Sequence, residues 1–433
     1  MNKIISNSSD RLLKQIASSF GLRVTYMGCT FLTSLILARF LGVTEFGIYT
    51  YTVSWAYLLG VFSTVGLDNL LVREVAIYKT NLAWGLLRGI LCWSNWLCVS
   101  FSVAIAVVAI AIAFATGMKN DLPLFTAFCL AMAALPFAAL RNLRRGAMRG
   151  LGKVSLGLIP EMLIAPVAIL ITILFAFAVA RPISARWCVG IYTVVTAATL
   201  IVSIKLLNKS LPAAVSTIAP QYRSRQWLAS ALPFMLIEGI YIINARVDIL
   251  MLGSLQSVAD AGIYVPVNRG AQLINFVLMA ISSALAPKIA SLYARDRLQQ
   301  LQAIVVKNAK LVLLPTLFIT TVLVGISSWY LGLYGSDFIA GRNALIILCL
   351  GQFLFTITGL GGLLLNMTGY EKYTAFTGTG SAILNTCFNY LFISRWGVEG
   401  AAIATSISLI IMNISNIILV RRKLKIKCTA IGL

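Results

Sequence analysis

The chain has 433 residues, 59% of them apolar and 11% charged, with a mean hydropathy of +0.91. A soluble domain carries about 25% charged residues, so a soluble enzyme, a disordered chain and a secreted disulfide scaffold are excluded. Histidine is absent, which removes Ser-His-Asp and Cys-His catalysis, histidine-ligated zinc or haem, and histidine proton relays.

Residues 1–19 are polar with short apolar interruptions, which does not describe a cleavable signal peptide. The stretch DRLLKQIASSF reads as an amphipathic lead-in lying at the interface, with Ser9 or Asp10 as its N-cap. Apolar runs follow at 20–41, 47–70, 91–117, 122–140, 155–179, 187–206, 228–252, 262–287, 309–333, 343–365, 373–394 and 399–420. Each matches the roughly 20 residues that a helix needs to cross a hydrocarbon core about 30 Å thick. None alternates as a membrane strand does. The predicted fold is therefore an all-α polytopic membrane protein with twelve transmembrane helices. Cys29, Cys92, Cys98, Cys129, Cys188, Cys349 and Cys387 lie in apolar runs without a C-x-x-C pair and read as packing residues.

The net charge of +22 would point to nucleic acid in a soluble protein, but its distribution gives another account. With a cytoplasmic N-terminus, 26 of the 35 basic residues fall in cytoplasmic connectors and five in outer loops: Lys119, Arg181, Arg186, Arg342 and Arg395. The positive-inside rule then places both termini in the cytoplasm, and no nucleic acid is required. Every outer loop is short. There is no aqueous domain to hold enzyme chemistry and no call for a cofactor, so movement through the bilayer is the expected task.

Sliding the chain by 215 residues aligns 47–78 with 262–293 without a gap, with seven identities in 32 positions, among them the paired GIY triplets at Gly47 and Gly262. Six spans per half is an even number, so the repeat is expected to be parallel: two six-helix bundles related by a pseudo-two-fold along the membrane normal. The expected limits are 1–206 for the N-terminal bundle, 207–227 for a basic cytoplasmic linker and 228–433 for the C-terminal bundle.

LARFLGVTEFGIYTYTV, RGAMRGLGKV, DILMLGSLQSVADAGIYVPVNR and NYLFISRWGVEGAAIATSIS, in this order and spacing, resemble the polysaccharide-transporter branch of the multidrug/oligosaccharidyl-lipid/polysaccharide flippase superfamily. The resemblance covers essentially the whole chain. It implies two helix bundles and translocation of undecaprenyl-pyrophosphate-linked oligosaccharide, an O-antigen, lipopolysaccharide or exopolysaccharide repeat unit, between leaflets by alternating access. It also implies a polysaccharide polymerase or chain-length regulator as a partner. Lipid II flippases of the superfamily carry two further helices, for which this chain has no room.

A pyrophosphate needs enclosing cations, and arginine pairs with phosphate through a planar fork. Arg246 and Arg269 fall at matched depth, roughly 10 Å below the outer surface, on consecutive spans. A central arginine costs about 2.5 to 3.5 kcal/mol to insert, so these two are expected to face a cavity or to be neutralised by Asp248. Arg39 and Arg23 lie nearer span ends, where snorkelling into headgroups explains them equally well. Glu238 at mid-depth, Asp248 and Glu161 are the candidate ion-coupling residues, for a proton or sodium, with interhelical hydrogen bonding as the alternative role. Glu238 precedes Arg246 by eight residues, so the two can border one cavity about 12 Å apart. Asn244, Asn268, Gln272, Asn275, Asn385 and Asn389 either line a sugar path or bond helix to helix. Pro166, Pro233, Pro266 and Pro315 are expected to bend their spans.

Three functions are open to such a chain. An oligosaccharide-lipid flippase predicts cavity arginines, a cation-coupled multidrug exporter predicts uncompensated cavity acids and aromatics, and a membrane scaffold gives no reason for matched arginines. Topology is testable directly: cysteine labelling or reporter fusions should place residues near 145, 215 and 297 inside and residues near 119, 257 and 337 outside. Finding the positions near 145 and 257 on the same side would overturn both the orientation and the parallel repeat.

Overall fold

The computed structural model describes residues 2–179, 183–358 and 360–428, with side chains from residue 21 onward except Ser216. Among the described residues the chain is helical throughout, without strands. Within the described residues, ten helical stretches are long and apolar enough to cross a membrane. Two of these are double. α1 (Asn2–Thr64) is interrupted at Gly42, with φ 73° and ψ 177°, and α16 (Glu371–Leu424) at Gly397, with φ 50° and ψ −125°. At 1.5 Å per residue, 54 helical residues would reach about 80 Å, far more than a hydrocarbon core. Each of these two stretches is long enough to hold one crossing on either side of its glycine. Both interruptions have positive φ, which a residue without Cβ adopts at little cost.

The other elements are α2 (Leu67–Thr80), α3 (Trp84–Ala115), α4 (Leu122–Ala133), α5 (Leu135–Gly150), α6 (Val154–Ile159), α7 (Ala165–Val179), α8 (Ala185–Ser210) and α9 (Ala214–Thr217). They continue as α10 (Ser224–Leu255), α11 (Val258–Ala294), α12 (Leu298–Gly325), α13 (Ser327–Gly332), α14 (Arg342–Thr358) and α15 (Leu360–Met367). A π-helical turn, Pro160–Ile164, joins α6 to α7. Three boundaries differ from the apolar runs. α1 starts at Asn2, so Ser9 and Asp10 lie inside it rather than capping it. The second crossing stops at Thr64 because Val65 and Gly66 take positive φ, and α2 begins beyond them. The fourth apolar run ends near residue 140, yet α5 continues to Gly150, so Arg141, Arg144, Arg145 and Arg149 belong to a helix and not to a loop. Arginine is a good helix former, and the buried face of α5 is completed by Leu143, Gly146, Ala147 and Gly150.

By its internal contacts the chain divides into two compact units, one of residues 1–37 and 52–242, the other of residues 38–51 and 243–433. In the first, Val65, Leu67, Leu70, Leu71 and Val75 form a core with Leu87, Ile90, Leu143, Ala147 and Met148. Trp227 closes its end, donating from Nε1 to the Tyr78 hydroxyl at 2.9 Å and packing on Trp93 with ring centroids 5.4 Å apart. The helices α2 and α5 cross where glycines remove side-chain bulk. A Cβ added to Gly146 would stand 3.0 Å from the Asp68 carbonyl carbon, and one on Gly150 2.8 Å from Val75 Cβ. Gly146 and Gly150 thus form a G-x-x-x-G contact inside RGAMRG.

The second unit has a core of Leu278, Leu285, Ile289, Leu301, Val305, Leu364 and Val420. Residues 38–51 join it through Phe46, whose ring meets Phe338 at 5.9 Å, and through Tyr51, whose hydroxyl lies 2.9 Å from Ser254 Oγ. Here the 215-residue offset reappears in space. A Cβ on Gly47 would collide with the Val258 carbonyl, and a Cβ on Gly262 with the Val43 carbonyl at 2.7 Å. Val43 and Gly47 stand to Val258 and Gly262 as the repeat aligns them, so the two helix starts meet in a contact with two-fold character.

The crossing of α2 and α5 makes a prediction with an internal control. Gly146→Ala should destabilise the protein by about 1–3 kcal/mol through overpacking, whereas Gly190→Ala, with open space around its Cβ position, should stabilise α8 by about 0.5–1 kcal/mol. Thermal unfolding in one detergent reads both. Equal responses would show that close approach at Gly146 is not what holds α2 on α5.

Candidate functional site

Among the described residues, the acids Asp68, Glu161 and Glu238 of the apolar helices lie in the first unit and Asp248 in the second. In the first unit the glycine contact just described sets Arg145, the neighbour of Gly146, beside Asp68. Its guanidinium lies 3.5 Å from Asp68 Oδ2 and 2.5 Å from Glu161 Oε2. Glu161 reaches it from the π-helical turn, a local widening that begins at Pro160, where the backbone has no N–H to donate. Arg141, one turn earlier on α5, donates to Thr199 Oγ1 at 3.2 Å and acts on Glu161 electrostatically.

A second close approach brings up Glu238. Gly66 lets the α10 backbone come near, so that an added Cβ would meet Met235 N at 2.5 Å. One turn further along each helix, Asn69 Nδ2 donates to Glu238 Oε1 at 2.8 Å. Three carboxyls are thus held by one shared arginine and one amide. Asp68 Oδ1 is buried with no hydrogen-bond donor.

The second unit treats a carboxyl differently. Asp248, 5% exposed, is ringed by neutral donors: Tyr264 from α11 at 2.9 Å, Asn389 Nδ2 at 2.6 Å and Thr405 Oγ1 at 2.7 Å. Asn385 donates to Thr405 at 3.1 Å and accepts from Asn389 at 2.6 Å. Asn389 Oδ1 is left buried without a partner. The break at Gly397 builds this cluster, because Asn389 stands eight residues before it and Thr405 eight after it, so the two halves of α16 face one carboxyl. A carboxylate, an orphaned amide oxygen and a hydroxyl form an all-oxygen set. That set suits a proton on the carboxyl or a hard monovalent cation among the oxygens.

The sequence-predicted residues are therefore distributed rather than gathered. Glu238 and Glu161 belong to the first unit and Asp248 to the second. Neutral groups, and not Arg246 or Arg269, supply the hydrogen bonds named for Asp248. Arg246 is half-buried on α10, in the second unit, while Glu238 on the same helix is in the first. Arg269 is half-buried on α11 and close enough to Tyr330 and Tyr334 to act on them electrostatically. Arg39 is exposed and donates to the Leu333 carbonyl at 3.2 Å, and Arg23 is exposed.

The polar residues offered as a sugar path all make hydrogen bonds. Asn275 donates to Gln352 Oε1 at 2.7 Å and accepts from Thr356 at 3.0 Å. Asn244 donates to the Gly378 carbonyl at 3.4 Å, and Gln272 to Asn268 at 3.2 Å. Pro233, Pro266 and Pro315 lie inside α10, α11 and α12, and Pro166 in the first turn of α7. Arg145, Asn69, Tyr264 and Thr405 were missed as site residues. The available signals were the G-x-x-x-G beside Arg145 and the even spacing of polar residues about Gly397.

A helical membrane protein with this arrangement has the fold of a known transporter class. The chain superposes on an inward-facing multidrug resistance MATE family transporter of the MOP superfamily with a TM-score of 0.75 at 13% identity, covering 92% of this chain and 94% of that one. It also superposes on the lipid II flippase MurJ in an inward closed conformation with a TM-score of 0.69 at 15% identity, covering 95% and 87%. A MOP superfamily transporter from Pyrococcus furiosus gives 0.61 at 14% identity, over 94% and 95%. Within that fold the chain belongs to the polysaccharide biosynthesis protein family, whose profile matches residues 12–293. It is 24% identical over 165 residues to a probable low-salt glycan biosynthesis flippase, Agl15, of Haloferax volcanii, a match spanning 37% of this chain and 34% of that relative. These relatives are flippases and transporters, not enzymes.

Proposed function

We propose that the protein flips an undecaprenyl-pyrophosphate-linked oligosaccharide, an O-antigen or exopolysaccharide repeat unit, from the inner to the outer leaflet of the bacterial cytoplasmic membrane. Both termini face the cytoplasm, the two six-helix bundles alternate in access, and a polysaccharide polymerase takes up the product. The observation that carries this reading is the family match over most of the chain, supported by the flippase description of the Haloferax volcanii relative. Likeness to a multidrug transporter at 13% identity concerns the fold, so it does not favour a drug exporter.

In this reading Arg246 and Arg269 hold the pyrophosphate, with Arg39 and Arg23 meeting the headgroup nearer the span ends. Coupling falls to Asp248. Glu161 is already neutralised by Arg145 and Glu238 is held by Asn69, whereas the Asp248 shell is neutral and keeps an unused oxygen on Asn389. A proton or sodium ion there would neutralise the carboxylate without dismantling an ion pair.

Arg246→Ala and Arg269→Ala should each abolish surface glycan export at near-normal protein abundance, with Lys rescuing only partly because it keeps the charge and loses the fork. Normal export by both Ala variants would show that the arginines are structural or the substrate uncharged. In reconstituted flipping, Asp248→Asn should lose its response to an imposed proton or sodium gradient while Glu238→Gln keeps it. The reverse pattern would move the coupling site to Glu238, and an unaltered response in both would remove coupling from either carboxyl.

A further inference from the structure

A cavity of about 480 Å³ lies within the first unit, apart from both carboxyl clusters. Two helices line it with one stripe each: Arg88, Cys92 and Asn95 of α3, spaced i, i+4, i+7, and Ile204, Leu207 and Asn208 of α8. These stripes keep a single helix face turned to the cavity. Arg144 of α5 closes a third side.

The lining contains two arginines and no acidic residue. Arg144 spends its guanidinium on neutral acceptors, donating to Asn95 Oδ1 at 2.7 Å and to the Leu140 carbonyl at 3.2 Å. Arg88 donates to the Ile218 carbonyl at 2.7 Å. An anion placed between two guanidiniums is attracted by both.

The segment after α8 forms the cover. Pro212, Ala213 and Val215 border the cavity, and the following residues are fixed to α3, with Gln221 N donating to the Gly85 carbonyl at 2.9 Å. Gly85 allows this approach, since a Cβ there would stand 3.1 Å from the Ala219 carbonyl. Depth follows from position along the helices. The polar lining runs from Arg88, four residues into α3, to Asn95, eleven residues in, and so extends about 10 Å along the helix from its first turn.

We propose that this cavity is a binding site for a phosphate group, whose oxygens accept from the guanidiniums of Arg88 and Arg144, with the leucines and Ile204 receiving an apolar continuation. Guanidinium forks match phosphate oxygens in geometry, and the volume falls in the usual range for small-ligand pockets. The phosphate is supplied either by an anionic lipid of the surrounding leaflet or by a soluble phosphate ester.

The full chain in neutral detergent is titrated in two arms while its unfolding temperature is followed. One arm adds inorganic phosphate against chloride of equal ionic strength, and the other adds phosphatidylglycerol against phosphatidylcholine. A ligand that binds only the folded state raises that temperature. Wild type and Arg225→Gln, which loses an exposed charge outside the cavity, should be stabilised alike. Arg144→Gln and Arg88→Gln should each weaken the midpoint concentration about tenfold or more, the loss expected for a charge-assisted hydrogen bond. A response to phosphatidylglycerol alone assigns the site to a lipid headgroup, and a response to phosphate assigns it to a soluble ester. Stabilisation that persists unchanged in the cavity variants, or no stabilisation by either ligand in wild type, overturns the site. Should Arg144→Gln fail to fold, Arg88→Gln alone carries the comparison.

Discussion

Hydrocarbon offers no partner for a carboxyl, so each acid on a crossing helix must be satisfied by the protein itself, and this one requirement organises the polar interior. The two units meet it in opposite ways. The first surrounds Asp68 and Glu161 with a shared guanidinium, while the second surrounds Asp248 with hydroxyls and amides. Each solution needs helices close enough for side chains of two or three bonds to meet. That closeness is set by glycine.

Gly146 lets α5 onto the backbone at Asp68, Gly66 lets α10 onto the start of α2, and each contact delivers the polar pair one position or one turn away. Gly47 and Gly262 work on the same principle without a polar pair. Their reciprocal approach through Val43 and Val258 gives physical sense to the triplet identity in the sequence repeat, because a position where a Cβ would strike a carbonyl stays glycine in both copies. Gly42 and Gly397 act through conformation instead of space. Nothing lies near their Cβ positions, and it is the positive φ that ends one crossing and starts the next.

Much of the architecture was legible because the hydrophobic requirement is long-range and additive. Twenty apolar residues mark a crossing whatever their order, and the all-helical membrane fold follows. Boundaries were less legible where a helix outlasts its apolar run. The arginines of α5 looked like a connector because charge ended the hydropathy signal, although Arg145, half-buried, pairs with two acids supplied by α2 and a π-helical turn. The site was least legible for the same reason. Asp248 stood out as an intramembrane acid, but its partners come from residues 264, 389 and 405, and no local pattern joins positions so far apart. Asn385 and Asn389 at i, i+4 announced a shared face. Their target was fixed only by the fold.

The two ways of holding a carboxyl also differ in how readily they change. Removing one partner from an ion pair between crossing helices leaves the other charge uncompensated, so the Arg145 cluster favours a single arrangement. A shell of neutral donors holds its carboxylate through bonds worth about 1.5–3 kcal/mol each in net stability, and hydroxyls and amides can turn to present oxygen in place of hydrogen. Protonating Asp248, or placing a cation beside it, would therefore rearrange Thr405, Asn385 and Asn389 without separating an ion pair. Because those three residues lie on opposite sides of Gly397, that rearrangement acts on the one point of α16 whose backbone is not helical. In the proposed cycle the neutral shell is the part of the polar interior able to pass a change of charge into a change of helix geometry, while the arginine-held acids of the first unit keep its helices in register.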